Sequence, residues 1–292
     1  MIEATGELLS SGPEADQERR VRGYFLKPES RILYRLFLRG TKHFGYYPPG
    51  SRHLSMVRAM RTMEDQLGTV LRLPPGSWVL DAGCGEGDVA VRMATRFGLH
   101  VEGVDLLEFS LDKAHRKARR LGLEDLLRFR RMDYANLRFP DQTFDGAYTM
   151  ETLVHAFDHE RALQELLRVL KPGGKLALFE YSVAPPRDRS AAQQAWFDFS
   201  VEGGAMPSLP SFVHGTFPEI LGRAGFVAVA VQDVTERMMP MLRRFAQIGY
   251  VPCQLGKLLG LQGELVNCTS AVQAYRHRSM WRYNIVTAER PR

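Results

Sequence analysis

The sequence predicts an α/β fold, a doubly wound and mostly parallel sheet with helices on both faces and a helical cap over one edge. Three observations predict it. Short apolar runs alternate with amphipathic helical patterns between residues 78 and 182. One apolar run breaks directly into a glycine-rich turn at "VLDAGCGEGD" (79–88). Acidic residues close the apolar runs that follow. Parallel strands covered on both faces read as short continuous apolar runs, and each needs a crossover helix to reach the next.

In chain order, residues 1–20 are polar and are predicted to be a tail. Residues 21–75 form a helical segment or lid. Within it, "ESRILYRLFLRG" places Ile32, Leu33, Leu36 and Phe37 at helical spacing, with Arg31, Arg35 and Arg39 between them. That pattern predicts a packed helix with snorkelling arginines, peripheral contact with a membrane surface being the alternative. "HFGYYPPG" (43–50) ends it, and a second helix covers about 55–71 before "PPG". The main domain, 76–292, follows. Strands are predicted at 78–83, 100–105, 126–133, 144–151, 174–182, 226–234 and 283–290. Helices fall at 88–98, over "EFSLDKAHRKARRLG", at 160–170 and over "TFPEILGRAGF", with Thr216 as N-cap and Gly225 as stop. Two cap insertions remain, at about 184–215 and 235–280. The second is too long for a hairpin and too apolar for a linker.

The totals exclude several classes. With 292 residues, 45% of them hydrophobic, the chain can bury one large core. A formal charge of +6 permits an anionic partner without demanding one. Cys84, Cys253 and Cys268 are odd in number and widely spaced, which argues against a disulfide framework or a cysteine-based metal site. No signal-peptide pattern and no membrane-length apolar run is read, so a cytoplasmic protein is expected. The oligomeric state is left open.

The glycine turn selects among ligands. A nucleoside triphosphate wants a lysine after the turn, and here Asp88 stands there. A dinucleotide wants GxGxxG, whereas Gly83, Gly85 and Gly87 give GxGxG. Asp81 and Glu86 beside the turn suit a ligand with a cationic end, such as S-adenosylmethionine. Asp105 closes the second strand, where an acid can accept from both ribose hydroxyls. Asp133, beside Tyr134, closes the third and can accept from an adenine amino group.

On these residues the stretch 78–181 resembles the class I S-adenosylmethionine-dependent methyltransferases, through "VLDAGCGEGD", "VEGVD", "MDYANLRFPDQTFDGAYTME" and "LQELLRVLKPGGKLALFE". The resemblance implies a Rossmann-like seven-stranded sheet whose last strand is antiparallel. It implies a cofactor site of Asp81, Gly83, Gly85, Gly87, Asp105, Leu106, Asp133, Tyr134 and Met150, and no metal.

After the fourth strand, "TMETLVHAFD" holds Glu151 and His155 four residues apart, which a helical turn would place on one face. The stretch is similar to that of the sterol and terpenoid C-methyltransferases, and parts of the pattern are shared by the tocopherol methyltransferases. The resemblance makes Glu151 and His155 the candidate catalytic residues. It makes His43, Tyr46 and Tyr47 candidates for a lid, while the aromatic cluster "AWFDFS" in the first cap insertion offers Trp196, Phe197 and Phe199 as candidates for an apolar pocket. For each, hydrogen bonding or packing within the fold is the alternative. The expected activity is methyl transfer to carbon, oxygen or nitrogen of a hydrophobic small molecule of secondary metabolism: a terpenoid, a sterol-like compound or a polyketide. An RNA methyltransferase is a rival because "KAHRKARR" and "RFRR" are basic, but no RNA-binding module is recognised and no nucleic-acid partner is expected. A non-methylating member that only binds the cofactor is the second rival.

Overall fold

A computed structural model describes residues 12–38 and 40–292, with only the backbone of 33–37. The sheet consists of β1 (Trp78–Ala82), β2 (His100–Asp105), β3 (Leu127–Arg131), β4 (Phe144–Met150), β5 (Leu170–Val183), β6 (Val227–Asp233) and β7 (Trp281–Glu289). Its order is β3-β2-β1-β4-β5-β7-β6. β1 to β5 run parallel, and β7 is antiparallel to both β5 and β6. This matches the seven-stranded expectation. The order reverses between β1 and β4, so the turns after these two strands open side by side. In open α/β sheets that is where ligands bind.

The crossover helices are α4 (Asp88–Phe97), α5 (Glu108–Leu121) and α6 (His159–Val169). α4 and α5 end on Gly98 and Gly122, both left-handed at φ 66° and 65°. Buried Leu80, Ala147 and Phe179 lie at the centre of the sheet. The N-terminal helices are α1 (Pro13–Leu26), α2 (Pro28–Leu38) and α3 (Met56–Leu71), the last capped by Ser55, whose hydroxyl accepts from the Arg58 N–H. The cap is made of α7 (Ala191–Gly203), α8 (Phe217–Ala224), α9 (Thr235–Leu258) and α10 (Val266–Arg276).

Several expectations are corrected. The predicted tail is helix from Pro13 onward, with Ala15 and Gln17 buried; its first eleven residues lie outside the described ones. The side chains of Leu33, Arg35, Leu36 and Phe37, and all of Arg39, also lie outside them. Thr216 does not cap α8 with its side chain: its hydroxyl donates backward to the Val213 carbonyl at 2.8 Å. The aromatic cluster "AWFDFS", for which the sequence predicts no element, lies in α7, whose start is fixed by a reciprocal capping box of Ser190 and Gln193.

Candidate functional site

Two cavities meet above the switch point. The first, about 200 Å³, lies at the carboxyl ends of β1, β2 and β4. It is lined by Asp81, Gly83, Gly85, Asp105, Leu106, Asp133, Tyr134 and Met150, so eight of the nine predicted cofactor residues share one wall. Gly87 does not line it. The three glycines act differently. A Cβ on Gly83 would lie 2.6 Å from Thr152 Cβ, and one on Gly87 would lie 2.9 Å from the Phe129 ring; one on Gly85 meets nothing within 4 Å. Gly83 and Gly87 thus let protein pack on protein. Gly85, at φ 52°, leaves space for a ligand.

The turns after β1 and β4 interlock. The Thr152 hydroxyl donates to the Ala82 carbonyl at 2.7 Å, and the Tyr134 hydroxyl donates to the Thr152 carbonyl at 2.7 Å. Asp105 is fixed by the Gly85 and Leu107 N–H groups, each at 2.8 Å on a different oxygen. Each oxygen keeps a lone pair, which suits a vicinal diol. Asp133 accepts from the Ala135 N–H at 2.8 Å. Glu86 and Asp88 are neutralised by Lys113 and Lys117, at 2.7 and 2.6 Å. The sequence reading grouped Glu86 with Asp81 as a partner for a cation; the structure leaves that part to Asp81. Asp81 is 3% exposed, and its Oδ2 has no hydrogen-bond partner among the described residues. Burial pushes its pKa up to about 7, with the Tyr148 hydroxyl and His43 opposing. An orphaned buried carboxylate oxygen is costly. A ligand ammonium would satisfy it, so the donor set fits S-adenosylmethionine.

The sequence did not reveal the roof of this cavity. α1 supplies Gln17, Val21 and Phe25. The Gln17 amide donates to the carbonyls of His155 and Ala205, each at 3.0 Å. Lys42 sits 4.4 Å over the Phe25 ring, and burial lowers its pKa against the pull of Glu86 and Asp105. A helix hidden in a polar N-terminus gives little periodic signal.

The second cavity, about 250 Å³, is mostly apolar. Phe44, Trp196, Phe197, Phe245 and Trp281 are among its walls. His43, Trp196 and Phe197 were predicted there or near it; Tyr46, Tyr47 and Phe199 line neither cavity. Tyr46 is held through its N–H on the Ala59 carbonyl at 2.9 Å. Tyr47 is 2% exposed in a separate core with Met60 and Met241. Around α7, Phe199 stands about 100° from Ser200 and about 60° from Trp196, at the margin of the face that meets the cavity. His43 is buried rather than lid-like. Its Nδ1 donates to the Phe44 carbonyl at 2.8 Å, and its Nε2 lies 3.5 Å from Glu64. Burial works against its charge, but Glu64, Glu151 and the Phe44 carbonyl together raise its pKa.

Glu151 lines both cavities. Its backbone is left-handed at φ 58°. Oε1 accepts from the Phe44 N–H at 2.6 Å and the Tyr283 hydroxyl at 2.8 Å; Oε2 accepts from the Tyr181 hydroxyl. Burial raises its pKa, while Tyr181, His43 and Phe44 oppose that. His155 does not share a helical face with it. The turn after Glu151 is a three-residue 3₁₀ helix, Leu153–His155, and it aims His155 away. His155 Nδ1 donates to the Ala205 carbonyl at 2.9 Å, its ring sits against Phe25, and burial lowers its pKa. It lines the first cavity only. Glu180, fully buried, shapes this turn by accepting from the Thr152 and Leu153 N–H groups at 3.0 and 2.7 Å. Among the described residues no cluster could hold a metal ion, and no helix is long and apolar enough to cross a membrane.

Comparison with known proteins agrees with this geometry. Residues 79–174 match the family described as "Methyltransferase domain". An S-adenosyl-L-methionine-dependent Diels-Alderase of Talaromyces variabilis is 34% identical, over 99% of this chain and 100% of that protein. A sterol 24-C-methyltransferase of Neurospora crassa is 30% identical, over 68% of this chain and 52% of that one. Among solved structures, the crystal structure of the [4+2]-cyclase SpnF superposes with a TM-score of 0.76, covering 94% of this chain and 96% of that one at 24% identity.

Proposed function

Given that the chain belongs to the S-adenosylmethionine-dependent methyltransferase family, we propose that it binds the cofactor at the glycine turn and methylates a hydrophobic small molecule held in the apolar cavity. One observation carries this: Glu151 forms the wall between an acid-lined cavity and an apolar one. Bound in the first cavity, S-adenosylmethionine supplies a methyl group on a sulfonium cation. The assigned roles are an ammonium contact for Asp81, the ribose hydroxyls for Asp105 and the adenine edge for Asp133. Glu151 places negative charge at the junction. Its three donors fix its orientation, which serves positioning of the reacting groups more than proton removal. Phe44, Trp281 and Phe245 exclude water and present aromatic faces, which favour a cationic centre. His155 holds the turn beneath the cofactor. A terpenoid, sterol-like or polyketide substrate fits these walls better than a nucleotide does. The free buried cysteines Cys84, Cys253 and Cys268 support a cytoplasmic location.

A second reading is favoured by the full-length similarity to a Diels-Alderase and by the engagement of both Glu151 oxygens. In it the cofactor is retained, its charge and the cavity orient a polyene, and ring closure proceeds without methyl transfer. The test is incubation with methyl-labelled S-adenosylmethionine and a panel of terpenoids, polyketides and polyenes, read by mass spectrometry. Label in the product with formation of S-adenosylhomocysteine supports methylation. An unlabelled isomer formed only when cofactor is present supports cyclisation. No binding of either cofactor form by calorimetry overturns both.

A further inference from the structure

The outer face of α9 has no counterpart in the chemistry above. The C-terminal half of its inner face is made of small residues, Ala246, Gly249, Cys253 and Gly256, all buried. A Cβ on Gly249 would lie 3.1 Å from Cys268 Cα, and one on Gly256 would lie 2.8 Å from Leu265, so α9 rests closely on α10 and the segment before it. The opposite side of such a helix ordinarily carries charge. Here Ile248, Val251, Leu255 and Leu258 follow one another at spacings of three and four residues on one stripe. Val251 is 62% exposed, Leu255 52% and Leu258 82%; Leu259 and Leu261 extend the patch past the helix end. The stripe starts at the apolar cavity, because Ile248 is both exposed and part of that cavity's wall.

Charge says what covers this stripe. No Asp or Glu occurs between Glu236 and Glu264, while Arg243 and Lys257 stand exposed there; Arg244 is instead held on the Leu54 and Arg52 carbonyls. Lys27, from the α1–α2 junction, bonds the Gly263 carbonyl and adds a further cation beside the tip. An apolar stripe with a basic margin is the pattern of a helix lying in an anionic lipid interface. A second copy of the chain would bring like charges together across a two-fold axis.

We infer that the exposed end of α9 docks on the surface of an anionic lipid bilayer, and that a lipid-dissolved substrate enters the apolar cavity along this stripe. The entry route rests on the hydrophobic-substrate reading above; the docking does not. It also moves the membrane contact from the Arg-rich α2, where the sequence suggested it, to the tip of the cap.

The experiment is flotation of the full chain with phosphatidylcholine vesicles containing about one-third phosphatidylglycerol, and with phosphatidylcholine alone. The intact protein floats with the anionic vesicles, less so at high salt. The double variant Leu258→Glu/Leu259→Glu lowers the bound fraction about tenfold or more, with its melting temperature and its affinity for S-adenosylmethionine unchanged. Should that variant melt early, Val251→Glu and Lys257→Glu serve as independent tests. Absence of flotation, flotation undiminished by the variants, or a dimer in sedimentation that the variants split while vesicles are ignored overturns the docking. Calorimetry with the cofactor on the same samples separates this from the proposed function: protein that binds vesicles but no cofactor sinks the enzyme reading and leaves the docking intact.

Discussion

Tyr181 and Tyr283 are direct partners across the antiparallel pair β5–β7, and their hydroxyls donate to opposite oxygens of the same carboxylate, Glu151. Two strands about a hundred residues apart in sequence thus aim one acid. A hydrogen bond to a buried charge is worth more than one between neutral groups, and the left-handed backbone at Glu151 needs such restraint to persist.

Removing either hydroxyl should loosen this aim. Tyr283→Phe is expected to lower kcat/KM about tenfold to a hundredfold, the effect of losing a hydrogen bond to a charged group. The dissociation constant for S-adenosylmethionine should change little. Steady-state kinetics and calorimetry check this; a loss confined to cofactor affinity would contradict the positioning role.

The glycines of the turn should separate cleanly. Gly87→Ala forces a methyl toward Phe129 and is expected to cost about 1–3 kcal/mol of stability. Gly85→Ala meets no protein atom, so most of its effect should be weakened cofactor binding, with only about 1 kcal/mol of backbone strain. Denaturant melts compared with cofactor titrations would show it. Equal destabilisation by the two variants would refute the assignment.

Asp81 gives a pH prediction. Its folded pKa, about 7, lies above the ordinary 3.8. The folded state therefore binds the extra proton between these values, and the contribution of Asp81 to stability falls as pH rises through that window. A cationic ligand favours the ionised form, so affinity for S-adenosylmethionine should rise from pH 6 to about 7.5 with proton release. Calorimetry in buffers of different ionisation enthalpy measures that proton. Asp81→Asn should abolish the release.

His155 and Gln17 tie the roof of the first cavity to its floor through the Ala205 carbonyl. Both Gln17→Ala and His155→Ala should expose α1 to limited proteolysis and weaken cofactor binding by about tenfold, the loss of roughly one buried hydrogen bond. Turnover at saturating cofactor should be less affected. A fall in turnover with unchanged cofactor affinity would return His155 to a direct catalytic role.

The sheet was legible because short apolar runs and period-3.6 patterns alternate without interruption through its parallel part. The wall of the first cavity was legible because acids at strand ends need no long-range information. The place of Glu151 at the cavities was legible from its position after β4, but its clamp was not: Tyr181 and Tyr283 meet only once β7 returns beside β5. The relation of Glu151 to His155 was misjudged because helical spacing presupposes a helix, and here a left-handed residue precedes a 3₁₀ turn. Tyr46 and Tyr47 looked like lid residues because aromatic content says nothing of which neighbour claims it.

The position of Glu151 in the wall of both cavities makes their occupants thermodynamically coupled. A cation bound on one side stabilises the ionised carboxylate that the other side meets. Whatever factor the first ligand adds to the affinity of the second, the second must return to the first. Binding measured in either order should therefore close the same cycle, and a Glu151→Gln variant should reduce the coupling from both directions by one common factor.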